Sequence, residues 1–131
     1  MQRIFSAGVI LVLMISLAGC QRKTATPPAS TNTPTVKAQV TFLELGSVSC
    51  IPCKKMQPIM KSIETRYAGQ VEVIFHDVLK DRSKSQQYGI KLIPTQVFLD
   101  QSGKEITRHE GFFPEEEIDK ILAAQGLSPL Y

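Results

Sequence analysis

With 131 residues, 43% of them hydrophobic and 21% charged, the chain can build one compact domain and is too apolar to be disordered throughout. The net charge of +3 draws on Arg3, Arg22 and Lys23 near the N-terminus, so the remainder is close to neutral. No basic stripe interleaved with aromatics is present, and nucleic acid is not expected as a partner.

The first segment has the form of a targeting signal. Arg3 supplies a minimal positive region, and residues 4–17 are mostly apolar, too short for a spanning helix, which needs about 20 residues. The segment ends in Leu17-Ala18-Gly19-Cys20, which resembles the lipobox of bacterial lipoprotein signal peptides. The resemblance implies removal of residues 1–19 and lipidation of Cys20; an uncleaved anchor is the alternative and would leave the domain on the same side of the membrane. Residues 20–39 then form a tether. They are rich in Thr, Pro, Ala and Ser and hold one large aliphatic residue, Val36. Such a stretch cannot bury enough surface to offset its ordering entropy. Its root-mean-square reach is roughly 25 Å.

Residues 40–131 form the expected domain. An apolar strand over 40–45 (VTFLEL) carries one carboxylate, Glu44. A helix follows from about residue 51 to 67, with Met56, Ile59, Met60, Ile63 and Tyr67 on one continuous face and Gly69 as its stop. Residues 71–75 (VEVIF) are a second strand, and 81–88 a short polar helix capped by Gly89. Residues 95–99 (TQVFL) are a third strand, and a hairpin turn at 100–103 leads to a fourth over 105–109. Pro114 opens a last helix at its first position, with Glu115 to Glu117 in the first turn and Ile118, Ile121 and Leu122 as the apolar stripe. The order βαβαββα predicts an α/β fold: a four-stranded mixed sheet flanked by helices.

Cys50-Ile51-Pro52-Cys53 stands where the first strand meets the first helix. With Cys20 used by lipid, Cys50 and Cys53 can pair only with each other or with a partner's thiol. Cys50 precedes the helix, where unpaired backbone N–H groups favour a thiolate; Cys53 lies one turn inside, and Pro52, which has no N–H, fits the first turn. A permanent structural disulfide is the competing reading, though closing so short a loop gains little chain entropy. A zinc or copper site is another, but only His76 and His109 could join the thiolates, and both are distant in sequence. Both are read as surface residues at strand ends, and Met56 and Met60 as core.

Residues 40–124 resemble the thioredoxin family. The resemblance rests on Cys50-x-Pro52-Cys53-Lys54 after an apolar strand, on Pro58 inside the helix, on Tyr88-Gly89-Ile90-x-x-Ile93-Pro94-Thr95, and on Gly111 after the last strand. It implies the minimal, four-stranded form of the thioredoxin fold, because the Thr/Pro-rich tether stands where the family has its first strand and helix. It also implies thiol–disulfide exchange: Cys50 as nucleophile, Cys53 as resolving thiol, a Cys50–Cys53 redox disulfide, and no other cofactor or metal. Glu44 matches the family's buried acid and would take the proton of Cys53 through a water, with a pKa raised by burial. Pro94 matches the family's cis-proline, leaving the Ile93 backbone free to pair with an extended substrate. Ile51, Pro52, Ile93, Pro94 and Phe112 are the expected substrate contacts, with Val48 at the apolar rim. The chain departs from the pattern in two places. Ser49 stands where the family has Trp, and the lysine that often pairs with the buried acid falls at Phe75.

The Ile51-Pro52 dipeptide is closer to the reducing Gly-Pro than to the His-containing dipeptides of strong oxidants. A reductase is therefore expected, with a disulfide-forming oxidase or a metal chaperone on the same fold as alternatives. A lipoprotein facing the periplasm or cell exterior has no NADPH-linked reductase available. Similar tethered proteins are recharged by a membrane thiol transporter and act on apocytochrome c, mispaired secreted proteins or peroxidases. A monomer is expected.

Overall fold

The computed structural model describes residues 37–131. The expected signal peptide, Cys20 and the tether as far as residue 36 lie outside the described residues.

Seven elements follow one another: β1 (Val40–Gly46), α1 (Ile51–Arg66), β2 (Val71–Asp77), α2 (Ser83–Gln87), β3 (Thr95–Asp100), β4 (Glu105–Glu110) and α3 (Glu115–Ala124). The sheet runs β2-β1-β3-β4. β1 pairs parallel with β2 and antiparallel with β3, and β3 pairs antiparallel with β4. The mixed sheet and the βαβαββα order are those expected from the sequence.

β1 is an inner strand, buried at six of its seven residues. Side chains alternate across a strand, so β1 feeds two cores. Val40 and Phe42 face a cluster with Met56, Met60, Ile63 and Tyr67 of the α1 segment, Phe98 of β3, and Ile118 and Leu122 of α3. Leu43 and Leu45 face the other way, with Val97, Leu99 and Val78, and Tyr88, Ile90 and Ile93 pack against them. The helical face read from the sequence is thus the buried face of α1; burying each such side chain is worth roughly 1.5–3 kcal/mol. Arg66 fastens α1 to α3. Its guanidinium donates to Glu115 Oε1 at 2.6 Å and to Asp119 Oδ2 at 2.9 Å, and Tyr67 Oη donates to Asp119 Oδ1 at 2.9 Å.

Two helix starts differ from the sequence reading. α2 begins at Ser83 rather than at residue 81, because Asp81 accepts from the Ser83 N–H at 2.8 Å and its hydroxyl at 2.8 Å, forming a turn ahead of the helix. Pro114 is the N-cap of α3, with extended backbone (ψ 145°), so Glu115 opens the helix. Gly89 caps α2 as expected. Its φ is +59°, its N–H donates to the Gln86 carbonyl, and the Ile90 N–H donates to that of Ser85.

Candidate active site

The end of β1 and the start of α1 place the two cysteines. After Gly46 the chain leaves the sheet, and the Cys50 N–H donates to the Ser47 carbonyl at 3.2 Å. Cys50 is the N-cap of α1, with extended backbone (φ −80°, ψ 125°). Its sulfur accepts from the Cys53 N–H at 3.3 Å, and its carbonyl accepts from the Lys54 N–H at 3.0 Å. The positive end of the helix therefore bears on Sγ of Cys50 and favours a thiolate there once the sulfur is reduced. Cys50 and Cys53 are joined in a disulfide, their Cα atoms 5.3 Å apart. Cys50 is half-buried, whereas Cys53 is 1% exposed. Only the first sulfur can be met by a second protein. Pro52 occupies the first turn, and Pro58 lies inside the helix, where it removes one donor from the ladder.

Beneath the pair lies Glu44, completely buried. Strand register explains its neighbours. On β2 it faces Phe75, and on β3 it faces Gln96, which in turn faces His109 on β4. The lysine position of the resemblance is thus Phe75 in fact, and β2 brings no cation to the acid. Burial pushes the carboxyl up to about 7, partly offset by the nearby Gln96 amide. That amide nevertheless gives its Nε2 to the Gly111 carbonyl at 3.1 Å, and neither carboxyl oxygen of Glu44 has a hydrogen-bond partner of acceptable geometry.

Gly46 joins the acid to the resolving sulfur. A Cβ placed on it would lie 3.2 Å from Cys53 Sγ, 3.3 Å from Glu44 Oε1 and 3.1 Å from Phe75 Cε2. Carboxyl and sulfur thus both border the space that a side chain at Gly46 would fill. Neither Gly46 nor Gln96 was expected in the site. A polar residue inside the apolar run TQVFL was the available signal for Gln96; for Gly46 there was none.

The third part comes from the loop before β3. Ile93–Pro94 is a cis peptide, as expected, with Pro94 buried and Ile93 half-buried. The Pro94 carbonyl accepts from the Gly111 N–H at 2.8 Å, tying this loop to the segment after β4. Among the described residues no hydrogen bond uses the main chain of Ile93. Exposed apolar residues adjoin each part of the site in sequence: Val48 (58%) and Ile51 (70%) beside Cys50, Leu92 (46%) before Ile93, and Phe112 (46%) after Gly111. Leu92 was not anticipated. Ile93 also lines a groove of about 580 Å³ beside the site, shared with Val78, Leu79, Ile90 and Leu92. Ser49 is exposed, and its hydroxyl pairs with that of Ser47 at 2.9 Å.

The remaining candidates fall elsewhere. His76 pairs with the Asp81 carbonyl at 2.9 Å, and His109 stacks on Phe113 with ring centroids 3.9 Å apart. Met56 and Met60 are core residues. Among the described residues no three His, Cys, Asp or Glu side chains converge.

Comparison with known proteins agrees with this arrangement. A family model described as a thioredoxin-like domain matches residues 29–126. The thioredoxin of Staphylococcus aureus is 25% identical over 87 residues, which span 66% of this chain and 83% of that protein. Among solved structures, the germline-specific thioredoxin Deadhead of Drosophila melanogaster superposes with a TM-score of 0.61 at 26% identity, covering 68% of this chain and 83% of the other. Thioredoxin NaTrxh of Nicotiana alata gives 0.58 at 27% identity, covering 66% and 72%.

Proposed function

The chain belongs to the thioredoxin-like family and is a thiol–disulfide oxidoreductase; from that premise we propose that it reduces protein disulfides outside the cytoplasm. The observation that carries the roles is the asymmetry of the pair; the direction rests on the Ile51-Pro52 dipeptide, which is closer to the reducing Gly-Pro. Cys50 sits half-exposed at a helix N-terminus, and Cys53 is buried one turn inside. The Cys50 thiolate attacks one sulfur of a substrate disulfide, forming a mixed disulfide and releasing the other sulfur as a thiolate. Cys53 passes its proton to Glu44 and attacks Cys50 Sγ. The Cys50–Cys53 disulfide closes and the second substrate sulfur leaves as a thiolate, so the substrate gains two electrons; its two thiolates take up one proton by way of Glu44 and one from solvent. An extended substrate segment pairs with the free main chain of Ile93 beside Pro94 and rests on Ile51, Pro52 and Phe112.

The lipobox-like ending at Cys20 supports a lipid-anchored protein facing the periplasm or cell exterior, recharged by a membrane thiol transporter. Apocytochrome c and mispaired secreted proteins are the substrates such a position offers. The reduction potential of the full-length protein against glutathione tests the direction. A reductase should lie near about −270 mV, the value known for thioredoxin, and a potential near about −120 mV would make it an oxidant. Cys53→Ser should accumulate mixed disulfides with extracytoplasmic proteins while Cys50→Ser should not. Trapping by the opposite variant would reverse the roles.

A further inference from the structure

Three polar atoms are buried without a partner among the described residues: both carboxyl oxygens of Glu44 and Oε1 of Gln96. They belong to side chains that face one another across β1 and β3, each 0% exposed. Directly opposed residues of an antiparallel pair hold their Cβ atoms about 4.5–5.5 Å apart, within reach of two long side chains. Orphaned buried polar atoms are rare and costly, so three in one cross-strand pair call for a cause.

We propose that Gln96 is the positioning partner of the buried acid, its amide serving the Glu44 carboxyl as donor when the acid is charged and as acceptor when it is protonated. The chemistry of the amide permits both. Nε2 carries two N–H groups, one given to the Gly111 carbonyl at 3.1 Å and the second free for a carboxylate. Oε1 is free to accept from a protonated carboxyl. Among the described residues no other element is seen to bring such a group to the acid. β2 brings Phe75 to the acid and α1 brings Cys53; His109 stands one strand further along the row, stacked on Phe113. A neutral amide holds the carboxyl in place through a proton transfer without pinning it in the ionised form, as a lysine would.

The same amide connects the acid to the substrate-facing loops. Gly111 accepts from Gln96 through its carbonyl and donates through its N–H to the Pro94 carbonyl at 2.8 Å. Gln96 thus links the proton acceptor beneath Cys53 to the loop before β3 and to the segment carrying Phe112. The pairing holds whichever way electrons flow; only its effect on Cys53 rests on the function proposed above.

The test is a pH titration of the full-length oxidised protein by NMR. The side-chain amide resonances of Gln96 should titrate with the same midpoint as the Glu44 carboxyl carbon, near 7. That titration should vanish in Glu44→Gln, which separates it from any effect of His109. In Gln96→Leu the Glu44 midpoint should rise by about one unit, since a hydrogen bond to a charged group outweighs one to its neutral form. The pH profile for resolution of a mixed disulfide should move with it, and the shift should disappear when Glu44→Gln is added. A Gln96 amide silent through the Glu44 titration, or an unmoved Glu44 midpoint in a folded Gln96→Leu protein, would overturn the proposal. If Gln96→Leu does not fold, the co-titration in the unaltered protein still decides. A shifted midpoint with unchanged resolution kinetics would uphold the pairing and remove Glu44 from the reaction.

Discussion

Phe42 and Phe98, opposed across β1 and β3, stack with ring centroids 4.9 Å apart. Two residues further along the same strands, on the same face, Glu44 meets Gln96 and three polar atoms go unpaired. The first row is apolar and closely packed, one step further along the strands from the acid. The second is equally buried but polar and lies beneath the disulfide. An aromatic pair adds about 0.5–1.5 kcal/mol beyond the area it buries. An unsatisfied buried polar group costs about 1–3 kcal/mol. One step along the sheet, the chain buries polar groups where the proposed mechanism exchanges a proton.

Removing the first row should have the largest effect. Phe98→Ala should lower unfolding free energy by about 3–5 kcal/mol, the usual range for an aromatic deleted from a core. The loss should be independent of pH, and the folded fraction should reduce disulfides at the normal rate. Urea unfolding at several pH values checks this. A loss that varies with pH would show the two rows to be coupled.

Altering the second row should instead change the pH dependence. The folded pKa of Glu44, about 7, lies above the unfolded value of roughly 4.3. The folded state therefore binds more protons, and the stability this brings is full below pH ~4.3 and lost as pH rises through the folded pKa. Glu44→Gln cannot lose it. The two stability curves should run together at pH 4 and separate by about 3 kcal/mol at pH 8, the variant being the more stable. In the same variant, formation of the mixed disulfide by Cys50 should be unchanged and its resolution by Cys53 slowed by about 10²-fold. Parallel stability curves with normal resolution would make Glu44 an ordinary carboxylate.

The smallest effect is expected at Gly46, next to the second row. A methyl group there must displace Glu44, Cys53 or Phe75 by a few tenths of an ångström. Gly46→Ala should cost about 1 kcal/mol, at the mild end of overpacking, and slow resolution more than attack, because it fills the space between carboxyl and sulfur. Equal slowing of both steps would place the effect on the whole loop rather than on proton transfer.

Much of this was legible before any coordinates. Alternation and helical spacing set the order of elements and the buried face of α1, since both depend on periods of two and 3.6 residues that a local segment carries by itself. The reactive pair was legible for the same reason. Cys50 and Cys53 are one helical turn apart, and a cysteine just before a helix meets unpaired N–H groups wherever that helix is placed. Helix starts were less secure. Asp81 competes for the backbone of α2 through its side chain, and Pro114 accepts either of two neighbouring cap positions.

Tertiary structure alone decided what surrounds the buried acid. Which residues face Glu44 depends on the register of two different strands, one about 30 residues away and one about 50, and register follows from packing both faces of the sheet at once. Gln96 and Gly46 are unremarkable in sequence because their importance lies in what stands opposite them, and Phe75 was placed beside the acid only through the family resemblance. The sequence determined which cysteines react and where the helix favours a thiolate, both being local properties of the backbone. The folded sheet determined the surroundings of Glu44 beside Cys53, because its carboxyl is pushed up by burial with no cation facing it among the described residues, and only the assembled fold buries it.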